Sequence, residues 1–168
     1  MNIFSYLIFL SLHIFSAIFW IGGMLAYIFV FRPVLKNQSY ANIKTNLFYE
    51  LALQFRKVAY YLFAVSFLSG SAILYGRGYR PMDVLSLFQE PFSVIKLKIL
   101  LFSILILSSI FHDFFLGPLT QKLVHENPRL WESYRSKAAF FGRMNLILSI
   151  LIAVLGILFS RGQNSFSL

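Results

Sequence analysis

An all-α integral membrane protein, a four-helix bundle with short interfacial helix extensions, is the fold this sequence predicts. Three observations predict it. Of 168 residues, 58% are hydrophobic and 18% aromatic, while only 12% are charged. A soluble domain carries roughly a quarter charged residues to cover its surface, and the mean hydropathy here is +0.72. The apolar residues gather into four stretches, each of a length that suits the roughly 20 residues needed to cross a hydrocarbon core. Four spans in a chain of this size make a single transmembrane domain, 1–168. The chain has no cysteine, which excludes a disulfide framework, a thiolate metal site and a catalytic thiol. Its net charge of +9 suits anionic lipid headgroups beside apolar helices better than nucleic acid. The lipid bilayer is therefore the expected partner, and nucleic acid is not.

The first span is expected at about 3–31, because no charged side chain occurs from Met1 to Phe31. It lacks the basic start and small-residue cleavage site of a signal peptide. The second, about 58–75, is also free of charge. The third, about 95–117, has a wholly apolar centre, Ile99–Phe111, that is too short to span alone. It reaches the required length with Lys96 and Lys98 in its first turns, where long basic side chains snorkel toward the interface. The fourth covers about 138–160, with Arg143 and Asn145 near its start. Leu47, Phe48, Leu51 and Phe55 recur at helical spacing before the second span, as do Leu130, Trp131, Tyr134, Ala138 and Phe141 before the fourth. Both sets predict interfacial ramps that run on into the membrane helices. Pro81 and Pro91 bracket a short outer segment, Met82–Glu90, and Pro118 is expected to bend or end the third helix. Gly22–Gly23, Ser69–Gly70–Ser71, and Ser149 with Ala153 and Gly156 allow close helix approach. No repeat is visible along the chain.

Lys and Arg set the direction of insertion. Arg32, Lys36, Lys44, Arg56 and Lys57 lie around the turn between the first two spans; Lys122, Arg129, Arg135, Lys137 and Arg143 lie around the turn between the last two. The opposite side holds Arg77, Arg80, Arg161, Lys96 and Lys98. Ten against five places both termini on the non-cytoplasmic side of the inner membrane.

Ionisable groups inside a span are functional hypotheses by default. His13 is the first. Trp20 stands about 20° from it around a helix and Met24 lies one turn further along the same stripe. A neutral imidazole projecting into an aromatic-rich bundle is what an axial haem ligand requires, and imidazole with thioether also suits copper. Lys98 on the third helix is expected at a similar depth. The alternative for His13 is a hydrogen bond that glues it to a neighbouring helix.

A second constellation is expected toward the inner side: Arg56, His112, Asp113, Arg143 and Asn145. Asp113 and Arg143 are its natural ion pair, since neither stays charged alone in low dielectric without a heavy desolvation cost. It could act as a proton relay or a propionate-binding site, or simply pin helix ends. His13 and His112 cannot share one haem, because they lie about 15 Å and about 30 Å along their helices from the outer side. The four methionines, Met1, Met24, Met82 and Met144, are spread over different levels. His125 falls in a loop and is expected to be solvated.

Several short elements together resemble the CopD-like integral membrane proteins, a family linked to copper resistance and uptake. They are His13-x6-Trp20-x-Gly22-Gly23, Arg32-Pro33, Phe55-Arg56-Lys57-Val58, Lys96–Lys98, His112-Asp113-Phe114-x2-Gly117-Pro118 and Gly142-Arg143-x-Asn145. The first and last are also similar to the four-helix, haem-b-binding J-type protoporphyrinogen oxidase of bacteria. That second resemblance implicates His13, Lys98, Arg143 and Asn145, although Leu146 stands where the oxidase pattern has an acid. The resemblances imply copper homeostasis or transport with a copper or haem b centre near His13, bound by His13, Trp20 and Lys98; the shared stripe makes His13 and Met24 the candidate metal donors. The alternatives are a haem b redox enzyme and a small accessory subunit of a larger membrane complex. The aromatic-rich lipid-facing surface would accept a second copy or partner subunits.

Overall fold

The computed structural model describes residues 1–40, 43–80, 82–83 and 93–162. Its regular structure is helical throughout the described residues. Among the described residues, four helical segments are long and apolar enough to cross a membrane: Ile3–Val34, Asn46–Gly76, Val94–Val124 and Pro128–Ser160. At 31 to 33 residues, each extends for about 47 Å, well beyond a hydrocarbon core of about 30 Å. The ends therefore reach the headgroup region, as the interfacial ramps required. Only 17–22% of each apolar window is buried within the protein. Large apolar side chains such as Phe4, Phe15, Phe19, Phe67 and Leu107 face outward, an arrangement that lipid satisfies and water does not. The chain is a multi-pass membrane protein.

Two compact units divide the chain, Met1–Arg80 and Pro81–Leu168. In the first, α1 (Ile3–Ala26) packs against α2 (Lys44–Gly76). Asn2 caps α1 by accepting the Ser5 N–H at 2.8 Å, satisfying one of the open donors of the first turn. The two helices run antiparallel: Arg77 donates to the Tyr6 hydroxyl at 3.1 Å near one end, and Tyr27 meets Phe48 edge-on near the other. Trp20, Met24, Ala59, Phe63 and Ile73 are buried between them. Gly23 supplies the close approach that the Gly22–Gly23 pair predicted, since a Cβ there would stand 2.6 Å from the Phe55 ring.

In the second unit, α3 (Val94–Phe111) packs against α5 (Pro128–Ser160), and α4 (Gly117–Glu126) against the start of α5. Ser93 caps α3 through the Lys96 N–H, so Lys96 and Lys98 do lie in its first turns. Asn127 caps α5 through the Leu130 N–H at 3.2 Å, with Pro128 opening the helix, where a missing N–H costs nothing. The ramps before the second and fourth spans are continuous with α2 and α5. Both helices end at an Arg-Gly step in which the glycine, Gly78 or Gly162, has a φ of +88° or +85°. Only glycine adopts that conformation without a Cβ penalty.

Pro118 does not end the third span. A π-helical turn, His112–Leu116, precedes it, and the Gly117 N–H reaches back to the His112 carbonyl. Widening the ladder by one residue accommodates a proline that has no donor of its own, and the chain stays helical to Glu126. The same device, Tyr27–Phe31, precedes Pro33 in the first unit. Of the expected outer segment Met82–Glu90, all but Met82 and Asp83 lie outside the described residues.

Replacing Gly23 by alanine should lower the thermal midpoint of the detergent-solubilised protein by an amount equivalent to about 1–3 kcal/mol, the usual cost of overpacking. Gly22→Ala, whose Cβ meets nothing within 4 Å, should leave the midpoint unchanged or raise it slightly.

Candidate cofactor site

His13 stands on the α2-facing side of α1. Its Nδ1 lies 2.9 Å from the Ser66 carbonyl oxygen and 3.3 Å from the Ser69 hydroxyl. A carbonyl can only accept, so Nδ1 carries the proton and donates it to Ser66. In the neutral ring the lone pair is then on Nε2. The Ser69 hydroxyl donates to the Val65 carbonyl, which leaves its oxygen lone pairs turned toward Nδ1–H. The ring is half-buried and packs on Gly70, where a Cβ would come within 3.0 Å of Cε1 and 3.3 Å of Nδ1. Ser16, one turn on, is buried and donates to the His13 carbonyl at 2.8 Å. α2 thus supplies both acceptors for Nδ1–H, and with them it selects the tautomer of this imidazole.

The residues grouped with His13 in the sequence take different places. Trp20 is buried in ring contact with Phe55 and Phe63, their centroids 5.4 and 4.6 Å from its own, and forms the core of the first unit. Met24 is also buried. It lies eleven residues from His13 in one unbroken helix, about 16 Å along the axis, so the two cannot ligate one metal ion. Lys98 belongs to the second unit, where its ammonium lies over Gly156; a Cβ there would be 3.0 Å from Nζ. Among the described residues, no three His, Asp or Glu side chains gather in a way that could hold a metal ion.

The second constellation separates into smaller pieces. Arg56 belongs to the first unit and its four companions to the second. Asn145 is buried between α3 and α5: Ser108 donates to its Oδ1 at 2.6 Å, and its Nδ2 donates to Ser109 at 3.1 Å. Ser149 adds a bond to the Asn145 carbonyl at 2.7 Å. His112 Nδ1 donates to Asp113 Oδ1 at 2.8 Å, both partly exposed.

Asp113 and Arg143 do not form the expected ion pair. Arg143 is exposed, and its Nε donates to the Ala139 carbonyl of its own helix at 3.2 Å. The reason is azimuthal. Arg143 and Asn145 are two residues apart, about 200° around a helix, so with Asn145 turned toward α3 the guanidinium must face away. His125 lies within α4 rather than in a loop.

Sequence reasoning missed the serines. Ser66, Ser108 and Ser109 hold the two chemically distinctive side chains, His13 and Asn145, in place. The available signal was Ser66 three residues before Ser69, and the Ser108–Ser109 pair inside an otherwise apolar run.

No family model matches the chain, and no solved structure matches it. It is similar to an uncharacterized protein of Aquifex aeolicus (strain VF5), at 30% identity over 154 residues that cover 89% of this chain and 92% of the relative.

Asn145→Ala should cost about 1 kcal/mol in a detergent unfolding titration, the scale of interhelical hydrogen bonds in membrane proteins. Arg143→Ala should stay within about 0.5 kcal/mol of the parent, as exposed positions do. The reverse order would contradict the separation of the two residues onto opposite faces.

Proposed function

We propose that this chain, which belongs to one family with that Aquifex aeolicus protein, is a multi-pass redox protein of the cytoplasmic membrane holding haem b through Nε2 of His13. One observation carries the reading: the hydrogen bond from His13 Nδ1 to the Ser66 carbonyl. Histidines that ligate metals commonly donate the other ring N–H to a carbonyl or carboxylate, which fixes the tautomer and raises the basicity of the ligating nitrogen. The two resemblances offer two groups, copper from the CopD-like proteins and haem b from the oxidase, and the donor set distinguishes them. Copper asks for several imidazole, thioether or thiolate donors at one point, and His13 and Met24 are too far apart to supply them. Haem asks this chain for one well-oriented imidazole and apolar surroundings, and His13 offers the first within a largely apolar hairpin.

Haem, when bound, supplies one-electron chemistry. The chain's own part is to hold the ligand ring: Ser66 and Ser69 engage Nδ1, and Gly70 leaves room for the Nδ1–Cε1 edge of the ring against α2. Copper homeostasis, which the same resemblance implies, then concerns copper as substrate or cargo and not as a resident ion. Protoporphyrinogen oxidation is not part of the reading, because Arg143 and Asn145, the pair which that resemblance implicates, face opposite sides of α5. The basic residues around the two helix–helix turns point to a cytoplasmic location for both turns and an outer location for both termini.

Protein purified in detergent from haem-replete cells should show a Soret band, and His13→Ala should abolish it. Ser69→Ala should keep the band with altered position or redox potential. A colourless protein, with or without stoichiometric copper, overturns the reading, and one that binds neither group points instead to an accessory subunit. For the topology, alkaline phosphatase fused after Leu168 should be active in bacterial cells, and inactive when fused within the turn near Lys36.

A further inference from the structure

The two units share a construction that their sequences conceal. In α1 the buried Trp20 and Met24 find counterparts 85 residues later in the buried Leu105 and Ser109 of α3. The π-helical turns Tyr27–Phe31 and His112–Leu116 stand the same 85 residues apart, as do Pro33 and Pro118. On the return helices, Ala59, Phe63, Ser69 and Ile73 are buried in α2; 86 residues on, Asn145, Ser149, Leu155 and Phe159 are buried in α5. Side-chain chemistry at these stations differs, Phe63 against Ser149, Ala59 against Asn145 and Ser69 against Leu155 among them, so what recurs is the register of burial along the return helices and the place of the helix irregularities. Among the paired positions few residues are identical, Pro33 with Pro118, Phe55 with Phe141 and Gly70 with Gly156 among them.

The last pair has a chemical consequence. His13 and Lys98 are themselves 85 residues apart, and each lies against the glycine of its own pair: His13 over Gly70, Lys98 over Gly156. The distance that a Cβ would leave is 3.0 Å in both, to Cε1 in one and to Nζ in the other. By contrast, Gly22 and Gly142 would place a Cβ in open space.

We propose that the chain is a tandem pair of one helical hairpin. Gly70 and Gly156 are then the same positioning residue in its two copies, each a gap in the return helix that seats the ionisable side chain of the first helix. One copy seats an imidazole and the other an ammonium. Removing a side chain from the return helix lets the ionisable group lie on bare backbone, within reach of carbonyl acceptors that a hydrocarbon environment otherwise lacks. The significance of the first seat for a cofactor rests on the reading of His13 as a haem ligand; the seats themselves do not.

The test uses the full-length chain in detergent, prepared without haem, with nitrogen-15 in its histidines and carbon-13 methyl groups on its lysines. His13→Ala and Lys98→Arg assign the two signals. Gly70→Ala should shift the His13 ring nitrogens and leave Lys98 in place. Gly156→Ala should shift the Lys98 methyl signal and leave His13 in place, and Gly22→Ala and Gly142→Ala should move neither. If a glycine variant is too unstable for spectra, its melting loss should be recovered in His13→Ala/Gly70→Ala or Lys98→Ala/Gly156→Ala, where the displaced partner is gone. The proposal is overturned if either glycine variant leaves its own partner's signal unmoved, or if the melting loss persists in the double variants. A missing Soret band in haem-replete protein would sink the haem reading alone, because these signals are read without haem.

Discussion

A helix carbonyl in a membrane has already accepted one hydrogen bond from its own ladder, and its remaining lone pair has no water to meet. At Ser66 that lone pair is taken by an imidazole from the neighbouring helix. Most of what is distinctive about the first unit depends on this contact. It gives His13 a reason to face α2 rather than lipid, it selects the Nδ1–H tautomer, and it requires a gap at Gly70 for the Nδ1–Cε1 edge of the ring. The hydroxyl of Ser69, bonded to its own helix at Val65, lies beside that carbonyl and meets the same nitrogen. An imidazole that only glued two helices would be satisfied by the first of these bonds. The Ser69 oxygen adds a second acceptor for the same N–H and so holds the direction in which Nδ1 points, as the support of a ligating histidine does.

The second unit solves the same packing problem with different chemistry. Where the first has Trp20 between Phe55 and Phe63, the second has an amide clasped by two serines. Helices in a bilayer gain little from burying apolar surface against one another, since lipid is equally apolar. Aromatic contacts and inter-helix hydrogen bonds are two remaining sources of specific attraction; the first hairpin buries the aromatic cluster, and the second buries the hydroxyl–amide one. Ser108, Ser109, Asn145 and Ser149 are all buried, and among the described residues no buried side-chain nitrogen or oxygen lacks a partner. A network satisfied to that degree is structural. Its amide is buried and enclosed by Ser108 and Ser109, whereas the imidazole of His13 is only half-buried, which is why the proposed chemistry is placed at His13 and not at Asn145.

How much of this was legible in the sequence follows from which coordinate each inference used. Spans, ramps and the interfacial lysines depend on position along the chain, and charge-free runs report that directly; all four long helices lie where those runs are. The expected Asp113–Arg143 pair used depth alone. Two residues at equal depth can still point 180° apart, and the two-residue step from Arg143 to Asn145 already contained that information. His13 was legible as unusual because a lone ionisable group in a span is costly, but its partners were not. Serine carries little signal in an apolar run, and a backbone carbonyl carries none. Met24 was grouped with His13 by azimuth, and here depth was the neglected coordinate: sharing a stripe over three turns is not sharing a site.

The prolines show why the hairpin repeat escaped sequence reading. A proline near the end of a span ordinarily argues for a helix terminus, because it removes a donor and crowds the preceding turn. Here a π-helical turn ahead of each proline absorbs the mismatch and the helix goes on. The widening is a property of backbone hydrogen bonding, to which Tyr27-Ile28-Phe29-Val30-Phe31 and His112-Asp113-Phe114-Phe115-Leu116 contribute almost no common side chains. What is held in common is a rule of construction: a seat over a glycine, a buried stripe on the return helix, a widened turn, then a proline. Lipid tolerates nearly any apolar residue on the outer face, so the letters are free to drift while the register stays. A duplication of this kind is preserved in the spacing of the exceptional residues long after the ordinary ones have ceased to match.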